Sequence, residues 1–168
     1  MKKLLIAAFC AVQSLPYAAG AHAVQTSGRG DSRPEDYVPP VIGNGSICTS
    51  VDNLGGQAQR KYVTYYPEVV WAGRRTSLPG TSLITMGHFE CEISVDGKPL
   101  GEPVAWRQSL NTSGAFTECE VEYAAATVKT VAFVPYGKDM LAVKKTVLPK
   151  SEGAKSAEIR FSYKFTDR

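Results

Sequence analysis

Apolar and polar residues alternate with a period of two along much of this chain. The alternation is clearest in residues 89–95, 119–123 and 159–165, where every second side chain is apolar and the residues between are polar. Such a pattern places one side of an extended segment on a core and the other in water, so it predicts β-strands. Residues 128–134 and 140–148 are rich in β-branched side chains and predict two further strands.

Turn-forming residues separate these predicted strands. Asp96-Gly97 favours a hairpin with a type I′ turn, which needs positive φ at both central residues. Residues 135–139 predict a short loop, and Leu54-Gly55-Gly56 and Pro79-Gly80 predict two more. No segment after residue 23 has the pattern of a long helix. Short strands with turns at intervals of about 8–12 residues favour an all-β protein, specifically an antiparallel β-sandwich.

The last predicted strand, residues 157–166, reaches almost to Arg168. An open edge strand exposes unpaired backbone groups, and natural domains usually cover it or protect it with charges. We therefore expect the sheet to be incomplete at this C-terminal edge and to continue in sequence that is not part of this chain. We also expect the chain by itself to associate through the apolar side chains of this strand. The alternative is that this strand is the final one of the domain.

The first residues have the pattern of a secretory signal peptide. Lys2 and Lys3 give the positive start, residues 4–12 form an apolar run, and Ala21-His22-Ala23 offers small residues at the positions that a signal peptidase recognises. The apolar run is shorter than the ~20 residues that span a bilayer. We expect residues 1–23 to be removed, giving a periplasmic or extracellular protein without membrane attachment. A buried N-terminal helix is the alternative.

The segment that follows differs in composition from the rest of the chain. Residues 24–40 are mostly polar and contain three prolines and two glycines. So few apolar side chains bury too little surface to offset the entropy lost on ordering, and the composition predicts a flexible leader. The sandwich domain is expected over residues 41–168.

The charge balance excludes one class of partner. The 168 residues include 19 basic and 16 acidic side chains, a formal net charge of +3. Without Lys2 and Lys3, 17 basic residues face 16 acidic ones, which leaves about +1. Domains that bind nucleic acids carry a clustered basic face. The composition therefore excludes nucleic acid as a partner.

Three cysteines remain after the predicted cleavage, and an odd number leaves at least one thiol unpaired in an oxidising compartment. Cys91 and Cys119 lie on the inward faces of predicted strands, so we expect these two to pair if any disulfide forms, with Cys48 free. Small buried thiols are the alternative. No Cys-x-x-Cys spacing occurs and His88 is the only remaining histidine, so we expect neither a metal site nor a cofactor.

One motif carries a resemblance to a known family. Residues 41–51 are Val-Ile-Gly-Asn-Gly-Ser-Ile-Cys-Thr-Ser-Val. An apolar residue, then Gly-Asn-Gly, then an apolar strand soon after a signal peptide resembles the opening of six-hairpin glycosidases, among them the trehalose and maltose phosphorylases and exported α-fucosidase-like enzymes. Asn44-Gly45 suits a tight turn with positive φ before the first strand. Cys48 departs from the pattern, since many members carry glycine there. Beyond this motif, the resemblance extends only loosely along the β pattern to residue 168.

In that family an N-terminal β-sandwich precedes a linker and an (α/α)6 barrel, which holds the catalytic carboxylates, so the resemblance implies a supersandwich-like fold for this chain. The resemblance therefore implies that this chain contains no catalytic residue. Glycoside hydrolysis needs two carboxylates that flank one bond, whereas the acidic residues of 90–92 and 118–122 alternate with core-facing ones and so point to solvent. His88 is the only candidate base for a Ser-His-Asp site, and no Gly-x-Ser-x-Gly motif accompanies it.

Tryptophans close to arginines are the candidates for substrate binding. An aromatic ring stacks on a sugar, and guanidinium groups donate hydrogen bonds to its hydroxyls. Trp71, Arg74, Arg75 and Trp106 are the residues with this combination. Core tryptophans with surface arginines are the alternative.

Three functional hypotheses remain. The leading one is the non-catalytic N-terminal sandwich of a secreted glycoside hydrolase. It would pack on and shape a C-terminal catalytic barrel and meet carbohydrate only through the full-length enzyme. The alternative is a free-standing exported β-sandwich that binds a glycan or a protein. The third is a purely structural surface protein.

Overall fold

The computed structural model describes residues 7–8, 23–35, 37–57, 71–72, 84–85, 88–154 and 156–164. Within these ranges every helix or strand assigned is a β-strand, so the all-β prediction is confirmed. In the same ranges, no helix has the length and apolar character needed to cross a membrane.

Thirteen strands make up the described part of the fold. They are β1 (Ala7–Ala8), β2 (Ala23–Arg29), β3 (Val41–Gly43), β4 (Cys48–Ser50), β5 (Trp71–Ala72), β6 (Ile84–Thr85), β7 (His88–Val95), β8 (Lys98–Pro99), β9 (Pro103–Asn111), β10 (Phe116–Tyr123), β11 (Ala126–Phe133), β12 (Ala142–Pro149) and β13 (Ala157–Lys164).

Six of these strands form the larger sheet, in the order β1-β12-β11-β10-β9-β2. Neighbours are antiparallel except β1 and β12, which are parallel. Along β11, Ala126, Val128, Thr130 and Ala132 are buried and the residues between them are more exposed. One face of the sheet therefore lies on a core and the other faces solvent, as the period-two pattern predicts.

Part of the segment whose composition predicts a flexible leader is ordered in the structure. Ala23–Arg29 forms β2, which pairs with β9 from Ala23 opposite Asn111 to Arg29 opposite Ala105. Further on, the Tyr37 hydroxyl donates to Gln108 Oε1 at 2.8 Å. Pairing with an existing sheet edge satisfies backbone groups and needs few apolar side chains, so a polar segment gains order that its own composition does not supply.

The smaller sheet has the order β13-β7-β8. Between β7 and β8, Asp96 and Gly97 have φ values of 48° and 74°, so the positive-φ hairpin turn predicted from Asp96-Gly97 is confirmed. β13 pairs with β7 along its whole length. Among the described strands none lies on the other side of β13, so the prediction that it is an edge strand holds for this part of the chain.

Two clusters of buried side chains fill the interior of this sandwich-like fold. The first joins the β3–β4 hairpin to the ends of β11 and β12 and packs against Phe89 of β7; its buried members are Ile42, Ile47, Val51, Ala132, Val134 and Leu141. The second consists of Trp106, Cys119 and Val121, with Tyr37, Leu54 and Tyr123 packed around it. The core therefore lies on the inward face of the larger sheet, under the segment 37–57.

Candidate functional site

The Gly-Asn-Gly motif forms the turn between β3 and β4. Asn44 Oδ1 accepts hydrogen bonds from the backbone amides of Ser46 and Ile47, both at 3.0 Å. Its Nδ2 donates to the carbonyl oxygens of Pro135 and Lys138, both at 2.8 Å. One side chain thus closes its own turn and ties that turn to the loop between β11 and β12.

Gly45 completes the turn with a φ of +90°, a conformation that residues with a Cβ rarely adopt. The tight turn predicted from Asn44-Gly45 is therefore confirmed at the glycine. The local chemistry of this motif is structural, because all four hydrogen bonds of the Asn44 side chain stay within the protein.

Exposed aromatic side chains lie at the end of the larger sheet to which this turn is tied. Tyr136, in the loop held by Asn44, is 95% exposed, and Phe133, the last residue of β11, is 40% exposed. Phe116 lies directly opposite Phe133 on β10 and shares its outward face. We call Phe116, Phe133 and Tyr136 the apolar end. An exposed aromatic group at one end of a sheet is typical of a contact surface.

The middle of the same outward face carries a group of three charges. Glu120 accepts from Arg107 at 2.8 Å and lies 3.0 Å from Lys129 Nζ. Burial raises the pKa of Glu120, but the hydrogen bonds from Arg107 and Lys129 outweigh it and the pKa is lowered overall. Burial raises the pKa of Glu118, two residues before it on β10. The two carboxylates thus differ in acidity because only one of them has two basic partners.

A row of buried polar side chains crosses the inward face. Gln108, Cys119, Thr130 and Lys145 lie opposite one another on β9, β10, β11 and β12, and all four are buried. Lys145 Nζ donates to Thr130 Oγ1 at 2.9 Å. We call these four side chains the polar row.

The polar row holds the backbone of the loop 51–56. Gln108 Nε2 donates to the carbonyl oxygen of Asp52 at 2.7 Å, Cys119 Sγ donates to that of Asn53 at 2.8 Å, and Lys145 Nζ donates to that of Gly55 at 2.9 Å. A Cβ at Gly55, whose φ is +74°, would lie 2.6 Å from Thr130 Oγ1. The loop lies this close to the sheet because residue 55 is glycine.

Burial shifts the titration of the groups around this loop. It raises the pKa of the Asp52 carboxyl, raises that of the Cys119 thiol to about 12, and lowers that of the Lys145 ammonium. Asp52 also accepts from the amides of Leu54 and Gly56. A thiol with so high a pKa is a poor nucleophile at neutral pH, so the chemistry of the polar row is to hold the loop.

Of the residues proposed for sugar binding, Trp106 lies in the core, which corrects its assignment to a surface. It is 3% exposed, its indole N–H donates to the carbonyl oxygen of Ser32 at 2.9 Å, and its ring meets Tyr37 edge-on at 5.6 Å. Ser32 and Tyr37, both in the segment expected to be flexible, cover this tryptophan. Trp71 lies in β5, where its backbone pairs with Thr85; its side chain, Arg74 and Arg75 lie outside the described residues.

The expected bridge between Cys91 and Cys119 is absent, because Cys48, Cys91 and Cys119 are all free thiols in the structure. Cys91 lies on β7 in the smaller sheet and Cys119 on β10 in the larger one. The prediction placed both in one sheet region, whereas the chain enters the larger sheet at β9, after the β7–β8 hairpin of the smaller one. Cys119 instead donates to the backbone of Asn53.

The described acidic side chains do not form a metal site or a catalytic pair in a pocket. No group of three or more His, Cys, Asp or Glu side chains suited to a metal occurs in the described ranges. Glu118 and Glu120 alternate on β10 with buried Thr117 and Cys119, so they point outward as predicted. The crevice lined by Thr49, Gln57, Phe89 and neighbouring residues has no room for a water molecule, whereas ligand pockets usually enclose about 300–1,000 Å³.

Sequence reasoning missed both the apolar end and the polar row. The row had a visible signal, since Gln108, Thr130 and Lys145 are polar residues at positions that the alternation assigns to the core. The apolar end forms because the strand register places Phe116 opposite Phe133. The alternation does not define which residues of neighbouring strands lie opposite each other.

Comparison of the chain with models of protein families, with curated proteins and with solved structures finds no significant match.

Proposed function

We propose that this chain is the non-catalytic N-terminal sandwich of an exported glycoside hydrolase. The observation that carries the proposal is the Asn44 turn, whose side chain joins the first hairpin to the loop between β11 and β12. The residues on which the resemblance to six-hairpin glycosidases rests are thus the ones that fix the position of an exposed loop.

The apolar end is the surface that would pack on the catalytic barrel. Tyr136 and Phe133 expose aromatic surface there, and the hydrogen bonds of Asn44 hold the loop in one conformation before any partner arrives. Contact residues that are already ordered lose little entropy on binding, and buried aromatic side chains supply much of the affinity at such interfaces.

The first test is to read the gene beyond codon 168 and to produce the segment that follows as a separate protein. Paired amphipathic helices there, and binding of the present chain to them, would support the proposal. The Tyr136→Ala variant should then bind at least about tenfold more weakly. Val104→Ala is the matched control, because Val104 is 54% exposed but lies at the opposite end of the sheet. A stop codon after Arg168 would contradict the proposal.

The second test concerns catalysis. The purified chain should not hydrolyse aryl glycosides, because the proposal places the two catalytic carboxylates in the barrel. Turnover that disappears in Glu118→Gln or Glu120→Gln, with the fold unchanged, would show that the chain is itself an enzyme.

A free-standing binding module is the second candidate. The observation that favours it is Phe133 opposite Phe116 on a face that also carries Glu118, Glu120 and Arg107, since aromatic rings beside hydrogen-bonding groups suit a glycan. Affinity electrophoresis in gels that contain soluble polysaccharides distinguishes the two. Slower migration of the wild-type chain in such a gel, and its loss in the Phe133→Ala variant, would favour the binding module over a sandwich that depends on a barrel.

A further inference from the structure

The open edge of the smaller sheet offers a surface for pairing with another strand. β13 pairs with β7 on one side, and in the described part of the chain no strand covers its other side. Its eight residues are long enough to form a full antiparallel ladder with an incoming strand, in which backbone hydrogen bonds supply the affinity.

The two faces of β13 differ in character. Ile159, Phe161 and Tyr163 share one face with the apolar residues of β7, and Phe161 is 36% exposed. The other face carries Glu158, Arg160, Ser162 and Lys164, all exposed. An incoming strand must therefore present apolar residues on one face and matching charges on the other.

We propose that the partner is a second copy of this chain, paired antiparallel through β13 with the two Phe161 residues opposite each other about a two-fold axis. In this register Glu158 lies opposite Lys164 of the second copy, twice in each dimer. Opposite charges at directly facing positions stabilise a strand pair, and so do facing aromatic side chains. The same patch serves both copies, as a two-fold interface requires.

The charges of β13 disfavour the neighbouring registers. Sliding by two residues in one direction places Arg160 opposite Arg160 of the second copy, and in the other direction it places Arg160 opposite Lys164. Sliding by one residue sets the apolar face of one strand against the charged face of the other. Compared with these neighbouring registers, the one centred on Phe161 alone combines matching faces with opposite charges.

In the described part of the chain, the outer edge of the smaller sheet is less suited to pairing than β13. β8, of two residues, Lys98 and Pro99, pairs with Ser94 and Val95 of β7, and further along this edge the Phe89 amide already donates to Gln57 Oε1 at 2.7 Å. A short edge strand with a proline lacks donors that a further strand needs. These features favour a dimer through β13 over an open-ended fibre.

Reversal of single charges tests the register. Within one chain, Glu158 contacts Arg160 at 3.3 Å and Lys164 contacts Glu90 at 2.7 Å. Each charge reversal therefore also removes a contact inside the monomer, and thermal unfolding of each variant must be recorded beside its dimerisation. Glu158→Lys and Lys164→Glu should each weaken the dimer of the full chain about tenfold or more in sedimentation equilibrium, because each places like charges opposite each other. Glu35→Lys, an exposed charge reversal outside both sheets, should leave dimerisation unchanged.

Mixing the two variants distinguishes pairing from a general effect of charge. A one-to-one mixture of Glu158→Lys and Lys164→Glu should form heterodimers about as tight as the wild-type dimer, because every facing pair is again of opposite charge. Ser162→Lys, which faces Arg160 of the second copy, should weaken the dimer and not be rescued by either. A wild-type chain that stays monomeric at millimolar concentration, or a mixture that forms no heterodimer, would overturn the proposal.

Discussion

Asn44 donates a hydrogen bond from Nδ2 to the carbonyl oxygen of Pro135, 91 residues later in the chain, at 2.8 Å. This contact joins the turn between β3 and β4 to the loop that carries Tyr136. The same side chain accepts two backbone amides of its own turn. Asn44 thus fixes the loop that carries Tyr136, one of the three residues of the apolar end.

Replacement of Asn44 by alanine should lower the free energy of unfolding by about 2 kcal/mol, because four hydrogen bonds of roughly 0.5–1.5 kcal/mol each are lost, some of them to water-exposed groups. Urea denaturation measures the change. Asn111→Ala is the matched control, since Asn111 Oδ1 accepts one exposed amide, that of Gly114, and its loss should cost about 0.5 kcal/mol. Equal losses for the two variants would contradict the role given to Asn44.

Replacement of Gly55 by alanine should destabilise the protein by about 3 kcal/mol. The backbone there has a φ of +74°, and the new Cβ would lie 2.6 Å from Thr130 Oγ1, so strain and overlap add. Gly137→Ala has a similar φ of +68° but open space around it, and should cost about 1 kcal/mol. Denaturation curves give the loss of unfolding free energy for each variant, and the difference between the two losses is the cost of the overlap alone.

The sequence predicts the strands of this fold better than their partners. The alternation in residues 119–123 and the Asp96-Gly97 turn correspond directly to β10 and to the β7–β8 hairpin, because both depend on neighbouring residues. β2 was missed because its order comes from pairing with β9, about 80 residues away, and not from its own composition. Trp106 is buried for a similar reason, since Ser32 and Tyr37, which cover it, lie in a segment that lacks a local signal of its own.

Glu120 should contribute to stability in a pH-dependent way. Its pKa in the folded protein lies below its ordinary value of 4.5, since hydrogen bonds from Arg107 and Lys129 outweigh the effect of burial. Its contribution is therefore fully present above pH 4.5 and is lost as the pH falls through the lower, folded-state pKa. At pH 7 and low salt Glu120→Gln should cost about 1 kcal/mol, and the difference from wild type should shrink towards pH 3.

Glu118→Gln is the control for that measurement. It removes a carboxylate from the same strand and face, but one whose pKa burial raises. Loss of its charge should leave the unfolding free energy at pH 7 unchanged or higher. A Glu118 variant that loses as much stability as the Glu120 variant would mean that the basic partners of Glu120 contribute nothing.

The three described cysteines should all titrate as free thiols in denaturant, and in the native protein Cys119 should react last. Cys119 is 3% exposed, and burial raises its pKa to about 12, whereas Cys48 and Cys91 are less buried. Alkylation followed by peptide mass spectrometry ranks the three rates. Recovery of a peptide that links Cys91 to Cys119 would contradict the arrangement of the two sheets.

Amide hydrogen exchange of the loop 134–141 tests most directly the claim that the apolar end is a docking surface for a catalytic domain. If the chain is joined to the barrel that we propose, the amides of this loop should exchange about tenfold more slowly in the joined protein than in the present chain, because the barrel would cover Tyr136. The exposed loop 151–154 next to β13 should exchange equally in both proteins. Equal exchange of the loop 134–141 in the two proteins would contradict the claim.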